Sequence, residues 1–249
     1  MEDRSGNTRV ALIAGGARGI GRALALSLAG DGWAVAVCYR RSEGDAATLR
    51  AALDALGPGH LCERVDVADP GAAADLVLRV EKAHGRLDAL INCVGAYHRV
   101  PLLEESVEGW HAMFDANLHP VFYLARAAAP GMMRRRRGRI VNFSMVNADQ
   151  QVGQPFVTAH YIAKLGVLVL TRSLARMLAP HGITANTVSP GFIDTGGVPD
   201  EELAHSFSTI PAGYLGTPGD AVAAVRYLLS DEARYVNGTN IHVSGGWGI

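Results

Sequence analysis

A chain of 249 residues is long enough for one α/β domain with a large buried core. Hydrophobic residues are 49% and charged residues 19%, the balance of a compact soluble protein rather than a disordered one. A net charge of -1 argues against a nucleic-acid or membrane-surface role.

Residues 1–8 read as a flexible tail, polar and mixed in charge. The tail lacks the apolar stretch of a signal peptide, and no run reaches membrane-spanning length, so a cytoplasmic setting is expected. Residues 9–14 form a short apolar strand, 15–21 a glycine-rich turn and 22–29 a helix. A second buried strand covers 33–39, and helical spacing over 46–56 stops at Gly57-Pro58-Gly59. Residues 60–66 are a third strand, and 70–83 a helix with proline in its first turn. Residues 89–94 are a fourth strand and 107–133 are helical, with His119-Pro120 expected to kink that helix beside Asn117. The basic run 134–137 reads as a solvated loop before a fifth strand at 140–144. A long helix over 158–178 leads to a sixth strand at 183–189. Residues 190–216, rich in Gly, Pro and Thr, read as a substrate loop with one short helix at 200–208. A last helix is expected at 221–229 and a last strand at 240–243.

Strands that alternate with helices, each strand a continuous apolar run, imply a parallel sheet covered on both faces. The expectation is a single doubly wound, Rossmann-type α/β domain over 1–249, with ligands at the carboxyl ends of the strands. Cys38, Cys62 and Cys93 sit in apolar runs at no metal-ligand spacing, so they read as reduced core thiols and no metal is expected.

Gly15-Gly16-Ala17-Arg18-Gly19-Ile20-Gly21 joins the first strand to the first helix. Glycines there allow a positive-φ turn and close approach to a diphosphate, and the helix N-terminus supplies N–H groups for the anion. After the second strand, an NAD site would place a carboxylate for the ribose hydroxyl. Here the residues are Tyr39-Arg40-Arg41-Ser42, with no carboxylate. Two guanidinium groups, with Arg18 in reach, favour a phosphate, hence NADPH. Asp66-Val67 ends the third strand where the adenine edge would lie.

In Thr158-Ala159-His160-Tyr161-Ile162-Ala163-Lys164, His160 and Lys164 are four apart and share a helix face. Tyr161 lies about 100° round and faces elsewhere in a regular helix.

Taken together, these stretches make the sequence similar to the short-chain dehydrogenase/reductase family, of the kind that includes 3-oxoacyl-carrier-protein reductases. The resemblance covers residues 9–246. It is carried by the Gly15/Gly19/Gly21 loop, Asp66, Asn92-Cys93-Val94-Gly95, Asn117 and Lys164. Ser189-Pro190-Gly191-Phe192-Ile193-Asp194-Thr195, Val236-Asn237-Gly238 and Gly245-Gly246 complete the set. It implies a seven-stranded parallel sheet, a homotetramer or homodimer, and NADPH spanning the carboxyl ends. Asn92, Val94 and Gly95 would border the cofactor, with Pro190, Gly191, Ile193 and Thr195 near its nicotinamide half. Family catalysis uses a tyrosine as general acid, a serine on the substrate oxygen, a lysine on the nicotinamide ribose and an asparagine that holds a relay water.

The sequence departs from that pattern. Counting back four from Lys164, where the family writes tyrosine, lands on His160. Three after Asn142, the usual serine place, is Met145, with Ser144 one short. The stretch between strand and helix is also longer than the family spacing. Three readings follow. With His160 in the tyrosine place, the enzyme still reduces a small biosynthetic intermediate. An imidazole with an ordinary pKa near 6.5, lowered further by Lys164, suits an iminium or conjugated acceptor better than a ketone. Alternatively, Tyr161 enters the site through a local irregularity, with Ser144 as oxygen partner, and ordinary ketone reduction results. Or the fold binds NADPH without redox turnover.

Asp149, Gln150, Gln151 and Gln154 are candidate substrate contacts, and Tyr97, His98 and Phe192 candidate pocket walls. Trp247 is expected at a neighbouring subunit or its site. Arg134 to Arg137, with Arg126 and Arg176, would form a dock for an acyl-carrier protein.

Overall fold

The computed structural model describes residues 8–196 and 209–249. In chain order the elements are β1 (Val10–Ala14), α1 (Gly19–Gly30), β2 (Ala34–Tyr39), α2 (Glu43–Leu56), β3 (Leu61–Arg64), α3 (Pro70–His84) and β4 (Ala89–Asn92). They continue with α4 (Val107–Asn117), α5 (His119–Arg135), β5 (Gly138–Phe143), α6 (Thr158–Leu178), β6 (Ile183–Pro190), α7 (Pro218–Leu229) and β7 (Asn240–Val243). The strands form one sheet in the order β3-β2-β1-β4-β5-β6-β7, and every pairing is parallel.

The continuous apolar runs are explained by burial on both faces. Along β1, Ala11 and Ile13 pack with α1, α2 and α7, while Val10, Leu12 and Ala14 pack with α3, α5 and α6. Strand order reverses between β1 and β4, where Ala14 pairs with Asn92. The crevice above that reversal is where a doubly wound sheet takes its ligand. No helix among the described residues is long and apolar enough to cross a membrane.

The single helix expected over 107–133 is two, α4 and α5, meeting at Leu118. Pro120 lies in the first turn of α5, where its missing N–H costs no hydrogen bond. α1 starts at Gly19 rather than 22, because the glycine loop itself winds into the first turn. The short helix expected at 200–208 and the first seven residues of the expected tail lie outside the described residues. The basic run is a clasp rather than a loose solvated loop. Arg135 pairs with Glu81 at 3.1 Å, Arg136 donates to the Pro180 carbonyl at 3.0 Å, and Arg137 pairs with Asp231 at 3.1 Å.

A buried polar chain fixes α6 to the sheet. Asn92 Nδ2 donates to Asn142 Oδ1 at 2.7 Å, and Asn142 Nδ2 donates to Thr171 Oγ1 at 2.8 Å. The Thr171 hydroxyl donates to the Val167 carbonyl at 2.7 Å. These pairings hold one register, since any shift would break them, although Asn92 Oδ1 is buried with no partner among the described residues.

Candidate active site

The glycine loop forms the first wall. Gly15 has φ +79° and Gly19 φ +53°, conformations that L side chains rarely adopt. A Cβ at Gly15 would lie 3.0 Å from the Cys93 carbonyl, so the loop presses on the segment after β4. A Cβ at Gly21 would collide with the Gly15 carbonyl oxygen. Arg18, the N-cap of α1, makes no side-chain cap bond, and the first turn holds no acidic residue. The open N–H groups and positive end of the helix therefore fit a diphosphate. Ala17 is buried behind the loop and Ile20 packs against the core.

At the end of β2, Arg40 and Arg41 are exposed and Tyr39 and Ser42 half-buried. Arg40 lies 3.7 Å from Asp66, whose carboxylate also accepts the Ala68 amide at 3.1 Å. Val67 is buried beside it. Across the crevice, Thr195 is 3.4 Å from the place a Gly19 Cβ would occupy. Ile193 pairs with Gly216, and the Gly191 amide donates to the Val243 carbonyl at 2.9 Å, which sets Pro190 to Thr195 along the far rim. Of the three residues expected after β4, Asn92 turns its amide into the core, whereas Gly95 is exposed and Val94 half-buried.

The second wall is one face of α6. His160 and Lys164 are both buried on it, 8% and 6% exposed. Lys164 Nζ donates to the Phe143 carbonyl at 3.0 Å. Burial lowers its pKa to about 8. His160 Nδ1 lies 2.9 Å from the Ala96 carbonyl. Burial first and the Lys164 charge second pull its pKa down to about 4. Asn117 Nδ2 donates to the same Ala96 carbonyl at 3.0 Å and to the Met113 carbonyl at 2.9 Å. Its Oδ1 is buried with no partner among the described residues. A Cβ at Gly95 would lie 2.9 Å from that Oδ1 and 3.3 Å from Lys164 Nζ. Gly95 thus leaves a gap bordered by an unpaired carbonyl oxygen and an ammonium. An orphaned acceptor, a glycine-formed cradle and a lysine fit the nicotinamide half of a dinucleotide.

The hydroxyls of Ser144 and Tyr161 are both bonded to main-chain groups. The Ser144 hydroxyl donates to the Lys164 main-chain carbonyl at 2.8 Å. The buried Tyr161 hydroxyl donates to the Asn147 carbonyl at 2.9 Å and accepts the Val152 amide at 3.1 Å. It is enclosed by the extended loop, whose turns at Asn147 (φ 61°) and Gln151 (φ 55°) are left-handed.

That loop differs from expectation. Asp149 pairs with His242 at 3.1 Å and accepts Asn240 Nδ2 at 3.2 Å, and Gln150 donates to the Gly248 carbonyl at 3.0 Å. These two side chains bind the C-terminal segment. The Trp247 and Phe192 rings meet at a 49° tilt with centroids 4.4 Å apart. Tyr97 meets His160 edge-on at 5.2 Å, and His98 pairs with Glu105 at 2.6 Å. Sequence reasoning missed Ala96, Glu105 and His242. Ala96 acts through its main chain, which leaves no signal in residue type. Among the described residues no His, Cys, Asp or Glu cluster could hold a metal ion.

A family profile described as enoyl-(acyl carrier protein) reductase matches residues 15–248. The chain is 37% identical over 242 residues to a 3-oxoacyl-(acyl-carrier-protein) reductase of Staphylococcus aureus, covering 96% of this chain and 98% of that one. Against the Escherichia coli K12 enzyme of the same name the identity is 36%, covering 96% of each chain. A crystal structure described as a short-chain alcohol dehydrogenase from Sinorhizobium meliloti is similar with a TM-score of 0.89 at 31% identity, covering 97% of this chain and 96% of that one.

Proposed function

The chain belongs to the short-chain dehydrogenase/reductase family, and on that premise we propose that it is an NADPH-dependent reductase of a small biosynthetic intermediate, C=N or C=O, with His160 in the place of the family tyrosine. The observation that carries this reading is the shared buried face of His160 and Lys164, with the Tyr161 phenol bound to main-chain groups of the loop. Bound NADPH would supply the hydride. Arg18, Arg40 and Arg41 would hold its 2′-phosphate side, and the N-terminus of α1 its diphosphate. Lys164 would grip the nicotinamide ribose and Asn117 Oδ1 a water. Residues 190–216, of which 197–208 lie outside the described residues, would contact the substrate, and the active form is a homotetramer or homodimer.

A carrier-borne ketone is the second reading. The relatives named 3-oxoacyl-(acyl-carrier-protein) reductases point to it, as does an exposed apolar rim of Leu102, Leu103, Val152 and Phe156. The loops that carry this rim are joined by bonds from the Val100 amide to the Phe156 carbonyl and from the Leu102 amide to the Pro155 carbonyl, both 2.8 Å. NADPH oxidation against cyclic imines, enones and 3-oxoacyl thioesters separates the two. Turnover lost in His160→Ala but kept in Tyr161→Phe supports the histidine site. Loss only in Tyr161→Phe rejects it.

A further inference from the structure

The contact between His160 and Ala96 decides more than the position of a ring. A carbonyl oxygen can only accept, so at 2.9 Å the hydrogen is on Nδ1. A neutral imidazole has one N–H, and the Ala96 carbonyl has taken it. Nε2 then presents a lone pair, and it makes no hydrogen bond with any described residue. The ring stays neutral because burial and the Lys164 charge both disfavour imidazolium. Asn117 donates to the same carbonyl and so holds the acceptor in place.

We propose that His160 meets the substrate as a hydrogen-bond acceptor, not as a proton donor, and that the site takes a hydride acceptor bearing its own N–H, the iminium form of an imine. This rests on the reductase reading above and names its substrate class. A ketone oxygen facing Nε2 would set acceptor against acceptor and leave both unpaired. An iminium N–H donates to Nε2 instead. Its reduction forms one C–H bond, turns the C=N π pair into a nitrogen lone pair and oxidises NADPH to NADP⁺. The N–H proton stays on nitrogen, so no acid is needed. Lys164 opposes a second cation nearby, and its bond to the Phe143 carbonyl with its lowered pKa of about 8 limits that opposition.

Two measurements test this. Nitrogen-15 NMR of the ring nitrogens in the full-length protein, free of cofactor, reads the tautomer. Hydrogen on Nδ1 of His160 is expected at pH 7, and hydrogen on Nε2 overturns the proposal. Steady-state NADPH oxidation then compares 2-methyl-1-pyrroline, whose protonated form carries the N–H, with the 1,2-dimethyl-1-pyrrolinium ion and with cyclopentanone. The first is expected to show kcat/KM roughly tenfold or more above the other two, because only it satisfies Nε2. His160→Tyr, which restores a donor, is expected to reverse the order toward the ketone. A wild-type protein that prefers cyclopentanone, or treats both iminium ions alike, overturns the substrate class but leaves the reductase reading. Turnover of none of the three, with NADPH bound in a fluorescence titration, overturns both.

Discussion

The Tyr161 hydroxyl is bonded to the Asn147 carbonyl at 2.9 Å. Asn147 stands in a left-handed conformation at φ 61°, and the phenol braces that turn. Tyr161→Phe removes this bond and the one from the Val152 amide. Stability should fall by about 1–3 kcal/mol, measured by urea denaturation. NADPH oxidation should stay within severalfold of wild type.

His160 makes stability depend on acidity. Its folded pKa of about 4 lies below its ordinary value of 6.5. Between these values the unfolded chain binds a proton that the folded chain refuses, so stability rises with pH there and is lost as pH falls from 6.5 to 4. Burial acts most strongly in this direction, Lys164 and His98 add to it, and the Ala96 carbonyl acts against them. The stabilisation lost over this window should amount to a few kcal/mol. Urea midpoints of wild type and His160→Gln should converge on acidification, and parallel curves would count against a buried neutral ring.

Lys164 gives a second pH signature. Its ammonium titrates near 8 rather than 10.5, owing to burial. NADPH affinity, read by fluorescence titration, should weaken as pH rises through about 8. Lys164→Met should bind weakly and without that dependence. A flat wild-type profile would show that the charge is not used in binding.

Gly95→Ala tests the gap between Asn117 and Lys164. The added methyl would sit 2.9 Å from Asn117 Oδ1 and 3.3 Å from Lys164 Nζ. Both must move, at an overpacking cost of about 1–3 kcal/mol. Turnover should drop roughly tenfold or more, and the melting temperature should fall by several degrees with the overpacking cost. Unchanged turnover would place the reacting groups elsewhere.

Arg40→Ala and Arg41→Ala test cofactor choice. Bonds from guanidinium to phosphate contribute about 1.5–3 kcal/mol each, so KM for NADPH should rise roughly tenfold to a hundredfold. KM for NADH should change little. Equal effects on both would assign these arginines to the surface alone.

Much of this was legible in the residues themselves. The apolar runs of β1, β2 and β4 are continuous because both faces are covered, and β5 and β6 pair into the same sheet. Helix α6 matches its expected span, residues 158–178, and its four-residue spacing does bring His160 and Lys164 to one buried face. Less legible was the break at Leu118. Proline announces a disturbance, but whether a helix bends or restarts depends on packing.

The covalent order of side chains alone determined the alternating fold, the glycine turn and the imidazole one turn ahead of the lysine, because each depends on local spacing. Only the tertiary structure decided which nitrogen of that imidazole is free, where the neighbouring phenol goes and that Asp149 binds His242. Those outcomes depend on main-chain carbonyls at Ala96 and Asn147 and on segments far apart in the chain. Such partners carry no residue-type signature and meet only when the sheet brings the loops after β4, β5 and β7 together.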